Sequence, residues 1–285
     1  GLTDAGVHVT LVQLITPGGS TSSALCAVQS TRLKHVTLVH AARAYRQIRD
    51  DVLALLPAHA TTVLHSHGKR ADLIGALVAR SARLPHVSTV HGFITNTAKQ
   101  RVARRVHEFV LRRVDRVIAV SRLLETELRQ AIGASRVALI PNAPPRIVRK
   151  ERDAARALLS ASALGEPSVL VGWVGRISRE KGLDVFIQSL PLLLDRNAGI
   201  VVIGDGAERA PLMAEAQAAG VSDRIAWLGA VPDAAALFSG LDVLVVSSRT
   251  EGTPMNVLEA IDAAVPVVAT AVGGIPDLID DGAGW

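Results

Sequence analysis

The 285-residue sequence predicts an α/β protein made of two Rossmann-like parallel-sheet domains facing a cleft. Three observations predict it. Short β-branched runs, almost continuously apolar, alternate with amphipathic stretches, as expected of parallel strands covered by helices on both faces. Ile140-Pro141-Asn142-Ala143-Pro144-Pro145 breaks both periodicities. The charge also changes sign across that break: residues 1–150 carry 22 basic and 8 acidic side chains, and residues 151–285 carry 9 and 18. We therefore expect an N-terminal domain over 1–146 and a C-terminal domain over 147–285.

The elements follow in order. Strands are expected at Val7–Leu14, Val36–Val39, Thr62–His65, His86–Val90 and Val117–Val120 in the first half. In the second they are expected at Val169–Val174, Ile200–Ile203, Arg224–Leu228, Val243–Val246 and Val267–Thr270. Helical periodicity marks Asp72–Ser81, Lys99–Val114, Arg122–Ala131, Leu183–Leu194, Arg209–Ala218 and Asn256–Ala263. Ligands of such sheets sit outside the carboxyl ends of the strands, so the loops that follow strands are where chemistry is sought.

Composition narrows the classes. A hydrophobic fraction of 49% with 20% charged residues excludes a disordered tail or a low-complexity array. The single cysteine, Cys26, excludes an intramolecular disulfide and a Cys-based zinc site, and fits a reducing compartment. The longest uncharged run, Val9 to Thr31, is too polar for a membrane span. No charged segment followed by an apolar one opens the text, so no signal peptide is expected. The text starts as if in mid-helix and stops after a Gly-rich turn, so a chain lacking both ends is expected.

Five constellations carry candidate chemistry. Gly175-Arg176-Ile177-Ser178-Arg179-Glu180-Lys181-Gly182 follows a strand and precedes a helix. Glycine lets the backbone approach an anion, and the amides opening the helix near Leu183 favour one. Arg176 and Lys181 can converge on a diphosphate. The same text also fits an ordinary loop with solvated charges. Glu251-Gly252-Thr253-Pro254-Met255-Asn256-Val257-Leu258-Glu259 sets two carboxylates around a helix start, with the amides of Met255, Asn256 and Val257 expected to be unpaired. Glu259 falls roughly 7 to 8 Å along that helix. One acid can then accept hydrogen bonds from a sugar and the other from a ribose diol; alternatively they complement the helix dipole and face solvent.

His91-Gly92 ends a strand, where a neutral imidazole can donate to a substrate hydroxyl, and His65 and His67 occupy a similar place. A loop histidine satisfied by its neighbours fits all three. Their lack of Cys or nearby acidic partners argues against a metal. Gly204-Asp205-Gly206 follows a strand but lacks the third glycine of a dinucleotide fingerprint, Arg209 standing there. A tight turn beside a nucleotide fits better. Lys99 to Arg116 is basic and amphipathic, with Val102, Val106, Phe109, Val110 and Val117 recurring at helical spacing. It fits either a solvated basic face over a core or contact with anionic lipid. Eight aromatics, none interleaved with this cluster, leave no stacking platform for nucleic acid.

Together these pieces resemble glycosyltransferase family 4, the retaining group with the GT-B fold. The matching text is Val174 through Leu183, Gly204-Asp205-Gly206, Leu228-Gly229, Glu251 through Ala260, Pro266 through Thr270 and Gly273-Gly274-Ile275-Pro276-Asp277. Thr89 through Phe93, Ala119-Val120-Ser121 and Ile140-Pro141-Asn142-Ala143 match in the first half. The resemblance implies transfer of a sugar from a nucleotide-diphosphate donor, UDP- or GDP-linked, to an acceptor hydroxyl with retention. The acceptor is lipid-linked, a polysaccharide or a small molecule. It implies that Arg176 and Lys181 neutralise the diphosphate, that Glu251 orients the sugar, and that Glu259 holds the ribose. Gly252 and residues Thr253 to Val257, with Pro254, Met255 and Asn256 among them, contact sugar and phosphate. Gly175, Gly204 and Gly206 border the nucleotide, and the backbone of Gly229, Ala230 and Val231 reads the base. His91 stands at the reaction centre. No cofactor and no metal are implied, since basic groups and a helix end neutralise the leaving group.

The resemblance also places the first strand with its Gly-rich loop, and the last helices, outside this text. It implies closure about Pro141–Pro145. A nucleotide-sugar epimerase or phosphorylase of the same fold, or a non-catalytic nucleotide-sugar-binding module, uses much the same residues. The expected partners are the donor, the acceptor and an anionic membrane reached through Lys99–Arg116, with no nucleic acid. The expected location is cytoplasmic, at the inner membrane face.

Overall fold

A computed structural model describes residues 5–18, 33–57, 61–93, 97–144, 147–160, 164, 167–193 and 198–279. Cys26, Pro145 and the expected C-terminal turn at 281–285 lie outside the described residues. The chain forms two compact units. One is Gly1–Val90, Thr95–Ile118 and Leu128–Ala138; the other is His91–Ile94, Ala119–Glu127 and Leu139–Trp285.

In the first unit, β1 (Val9–Ile15) pairs in parallel with β2 (Leu33–Val39), from Val9 opposite Leu33 to Ile15 opposite Val39. A four-stranded sheet has the order β3 (Leu64–His67), β4 (His86–Val90), β5 (Arg116–Ala119), β6 (Val137–Leu139). Helix α1 (Tyr45–Ala54) contributes Ile48 and Val52 to a core, and α2 (Lys69–Ala82) contributes Ile74 and Val78. Val12, Leu14, Leu38 and Leu64 from the strands pack against them. Full burial of each such side chain contributes about 1.5–3 kcal/mol.

This unit also buries a polar network. Asp72 of α2 is fully buried and accepts from Ser88 Oγ at 2.7 Å and from Ser66 Oγ, with His107 Nε2 at 2.6 Å. His86 Nε2 lies 2.8 Å from Ser66 Oγ, and the His86 backbone amide donates to Asp115 at 2.8 Å. Gly75 makes room for the His86 ring: a Cβ there would stand 2.6 Å from Nε2. Burial alone would raise the Asp72 carboxyl, but the bonds from His107, Ser66 and Ser88 outweigh it and hold it below the usual range.

Helix α3 (Ala98–Leu111) opens with a capping box, Gln100 N to Thr97 Oγ1 at 3.2 Å and Thr97 N to Gln100 Oε1 at 2.9 Å. The five apolar residues read as one face divide: Val110 is buried on α3 and Val117 on β5, while Val102, Val106 and Phe109 point outward. The buried side carries His107, Val110 and Leu111, because His107 is drawn in to Asp72.

In the second unit, five parallel strands have the order β11 (Val267–Ala269), β10 (Val243–Val246), β7 (Val169–Val174), β8 (Ala198–Ile203), β9 (Ile225–Gly229). The chain runs outward from β7 to β9, then returns to the other side of β7 for β10 and β11. The order reverses between β7 and β10, which is the topological switch point where ligands of open α/β sheets bind. Alternate residues of β8 supply both cores. Val201 and Ile203 join Leu170, Leu244, Val246 and Phe238 on one face, and Ile200 and Val202 join Trp173, Ile187 and Leu190 on the other. Helices α4 (Arg122–Ile132), α5 (Arg152–Ser160), α6 (Leu183–Leu193), α7 (Arg209–Ala218) and α8 (Met255–Asp262) complete the order. Sequence reading missed α1, α5 and β6.

Candidate functional site

The loops leaving β7 and β10 meet at the switch point. The β7 loop turns through a short 3-10 segment, Arg179–Lys181, and reaches α6 through Gly182 in the left-handed region at φ +66°. A Cβ at Gly182 would stand 2.0 Å from the Ser247 carbonyl oxygen, so only glycine allows the two loops to come this close. Ser247 Oγ donates to Gly182 O at 2.7 Å and receives the Trp173 indole at 3.2 Å. These contacts fix where Lys181 stands.

Lys181 Nζ reaches both oxygens of Glu251, at 2.7 and 2.9 Å. Ser248 Oγ donates to the same carboxylate at 2.6 Å. The Glu251 side chain is 7% exposed and that of Lys181 26%. Arg176 stands mostly in solvent and pairs with Glu180. The Glu180 carboxyl is held below its usual range, first by its own backbone amide and then, against some burial, by Ser178 and Arg176.

Asp184 sits in the first turn of α6 and binds Arg249 through two bonds of 2.7 Å, which hold that carboxyl low. The helix whose start lines a cavity is α8. Pro254 is its N-cap rather than its first residue, and offers no side-chain cap. Of the three amides expected to be unpaired, that of Val257 is taken by Asn256 Oδ1 at 2.9 Å. Asn256 Nδ2 donates to Val174 O at 2.8 Å, so this side chain ties the start of α8 to the end of β7.

A cavity of about 390 Å³ is lined by His91, Arg176, Lys181 and Glu251, with Gly252 through Asn256 forming one wall. His91 enters through its backbone neighbours. A Cβ at Gly252 would stand 1.9 Å from the His91 carbonyl oxygen, and Gly274 N donates to Gly252 O at 2.7 Å. Thr253 Oγ1 donates to Val120 O, and Asn142 Nδ2 donates to Thr253 O at 3.3 Å. A second cavity of about 260 Å³ is lined by Gly204, Asp205, Ala230, Val231 and Ala234. Val174, Gly175 and Arg176 line both.

Backbone bonds knit the ends of three strands together here: Gly175 N to Ile203 O at 3.0 Å, Ile177 N to Asp205 O at 2.9 Å and Gly204 N to Gly229 O at 2.7 Å. Gly206 and Gly229 support these turns without lining either cavity, and Val257 lies in the core behind. Glu259 lines neither cavity; it is half-buried on α8, and that burial raises its carboxyl above the usual range.

His65 and His67 lie within β3, their rings stacked at 4.5 Å, with His65 Nε2 2.8 Å from Thr89 Oγ1. Both are exposed on β3, beside the buried Ser66. Among the described residues no group of three or more His, Cys, Asp or Glu side chains is placed to hold a metal ion. Sequence reasoning singled out Asp205 within Gly204-Asp205-Gly206 but missed Ser248, whose signal was position alone, past the carboxyl end of β10.

A parallel sheet whose loops meet at the switch point defines an α/β protein of Rossmann type. The comparisons carry this further. The family model "Glycosyltransferase Family 4" matches residues 1–143, and "Glycosyl transferases group 1" matches residues 168–285. The chain is 29% identical over 226 residues to the 2-deoxystreptamine glucosyltransferase of Streptomyces kanamyceticus, covering 73% of this chain and 58% of that protein. It is 30% identical over 229 residues to the lipopolysaccharide core biosynthesis mannosyltransferase LpcC of Rhizobium leguminosarum bv. viciae, covering 77% and 61%. The chain thus spans less than two thirds of the length of these relatives.

Among solved structures, Anabaena Alr3699/HepE in complex with UDP-glucose superposes with a TM-score of 0.80 at 21% identity, covering 96% of this chain and 84% of that one. Sucrose-phosphate synthase from Thermosynechococcus elongatus superposes with a TM-score of 0.79 at 21% identity, covering 96% and 74%. The fold is GT-B, and the chain belongs to glycosyltransferase family 4.

Proposed function

We propose that the protein of which this chain is part transfers a sugar from a UDP- or GDP-linked donor to an acceptor hydroxyl, with retention and without a metal. The observation that carries the reading is the meeting of Lys181 and Glu251 in the switch-point cavity beside Arg176 and the start of α8. Relatives named as glucosyl- and mannosyltransferases, and a neighbour of like fold bound to UDP-glucose, support it.

On this reading the bond from the anomeric carbon to the diphosphate breaks, and a bond to the acceptor oxygen forms on the same face. The acceptor proton passes to the departing phosphate oxygen. Charge grows on that phosphate, and Arg176, Lys181 and the amides of Met255 and Asn256 stabilise it without reorganising. Glu251 accepts from the sugar hydroxyls, and His91 donates to the sugar. Glu259 accepts from the ribose, with the base in the smaller cavity against Ala230 and Val231. Lys181 exchanges Glu251 for phosphate when the donor arrives.

The acceptor is lipid-linked, a polysaccharide or a small molecule. The enzyme works in the cytoplasm at the inner membrane face, which Lys99–Arg116 contacts. Among the described residues no helix is long and apolar enough to cross a membrane. The test is mass spectrometry of full-length protein with UDP-glucose, UDP-N-acetylglucosamine or GDP-mannose, with and without acceptors of these three kinds. A mass increase of one sugar on an acceptor supports transfer. Epimerised donor without acceptor, or bound donor that never turns over, would replace it.

A further inference from the structure

The β7 loop carries Lys181 and the β10 loop carries its partner Glu251. One residue of the second loop holds the first. The Arg249 backbone amide donates to Glu180 O at 2.8 Å, and Arg249 Nη1 donates to Arg179 O at 2.9 Å. The same guanidinium grips both oxygens of Asp184 through Nη1 and Nη2, each at 2.7 Å. Arg249 thus engages the two carbonyls just before Lys181 and a carboxylate just after it, while standing two residues from Glu251. Ser247 holds the far end of the turn at Gly182, so Arg249 supplies the near end. Its side chain is 41% exposed and lines neither cavity.

A solvated surface arginine needs no such set of acceptors. Three bonds from one planar fork, to groups on either side of a tight turn, fix the spacing of the two loops. An exposed ion pair adds little to global stability, so the effect is local to the turn. We propose that Arg249 is a positioning residue for sugar transfer: by bridging Arg179 and Asp184 it sets the β7 loop so that Lys181 meets the donor diphosphate already in place. The proposal rests on the reading of the switch-point cavity as the donor site, and adds to it a residue outside that cavity. When the turn loosens, the Lys181 ammonium on its long stem still finds a diphosphate, so ground-state attraction persists. What goes is a charge that is in position, without reorganisation, as negative charge grows on the leaving phosphate; the loss falls on kcat. Lysine cannot fill this place, because it lacks the fork that holds both oxygens of Asp184 together with Arg179 O.

Steady-state transfer by the full-length protein is measured with whichever of UDP-glucose, UDP-N-acetylglucosamine and GDP-mannose it uses. The variants are Arg249→Met, Arg249→Lys, Lys181→Ala and Lys181→Ala/Arg249→Met, with urea unfolding followed in parallel. Arg249→Met should lower kcat by about 10- to 100-fold with the donor KM held within about threefold, and Arg249→Lys should recover only part of that loss. In the Lys181→Ala background the same change should alter kcat by less than about threefold, because Arg249 acts through the missing ammonium. Should Arg249→Met not fold, Arg249→Lys carries the same cycle. A variant that unfolds at lower urea yet turns over normally where it is folded makes Arg249 a stability residue and overturns the proposal. So does full kcat in Arg249→Lys, a loss confined to KM, or equal losses with and without Lys181. Those failures require an active parent. A parent that transfers no sugar from any of the three donors overturns the reading of the site, and this proposal with it.

Discussion

Glu251 is nearly out of water, and Lys181 holds both of its oxygens. Removing Lys181 as Lys181→Met strands a buried carboxylate with Ser248 alone. Breaking a buried pair in this way costs about 3–5 kcal/mol, and the quarter exposure of Lys181 places it at the low end, about 3 kcal/mol. Glu251→Gln keeps the shape and the bond from Ser248 while leaving Lys181 able to reach water, which costs about 1–2 kcal/mol. The double variant has no stranded charge. Its loss should therefore fall short of the sum of the single losses by about 2 kcal/mol, the coupling expected of contacting residues. Urea unfolding followed by tryptophan fluorescence reads the relevant unit, because Trp173 is buried there with its indole on Ser247. Single losses that add to within about 0.5 kcal/mol would refute the pairing as an energetic unit.

Arg176 differs, because its side chain is 66% exposed. Arg176→Ala should change stability by less than about 0.5 kcal/mol yet lower turnover by about 10² or more, as calorimetry and single-turnover transfer assays will show. Gly252→Ala forces a Cβ to within 1.9 Å of the His91 carbonyl oxygen. Backbone must then shift, lowering stability by about 1–3 kcal/mol and abolishing nucleotide binding, measured by denaturation and by UDP titration. Stability should fall with acid in two stages. His86 and His67, held low chiefly by burial, give up stability as pH falls below about 6.5, because the unfolded chain binds those protons first. Asp72, also held low in the fold, gives up more below about pH 4, so Asp72→Asn should flatten that second stage in urea titrations and, by removing the charge that partly raises His86 and His67, deepen the first.

The strands of the second unit were legible because a parallel strand buried on both faces is apolar nearly throughout. Val169–Val174 and Val243–Val246 match their sequence bounds, and so does helix Arg209–Ala218. Helix α5 escaped notice because its place is fixed from a distance. Arg152 and Arg156 both engage Asp242, some 90 residues away, and only Ala155 and Leu159 enter the core. The strand β6 is three residues long and carries too little pattern to register. On α3, periodicity identified an apolar face but not the side it would take. That was decided by His107 and Asp72, a long-range polar contact that no local window contains. At the site, the glycines and acids were legible by their place after strands. The private bonds of Asn256, which close one amide and pin α8 to β7, were not.

The central claim is that the switch-point cavity of the second unit holds a nucleoside diphosphate on Arg176 and Lys181. Isothermal titration of UDP and GDP into the full-length protein and its Arg176→Ala/Lys181→Ala variant tests it most directly. One of the two nucleotides should bind the unmodified protein, with affinity reduced by about 100-fold or more in the variant and reduced by added salt. Equal affinity in both proteins would mean that the diphosphate sits elsewhere.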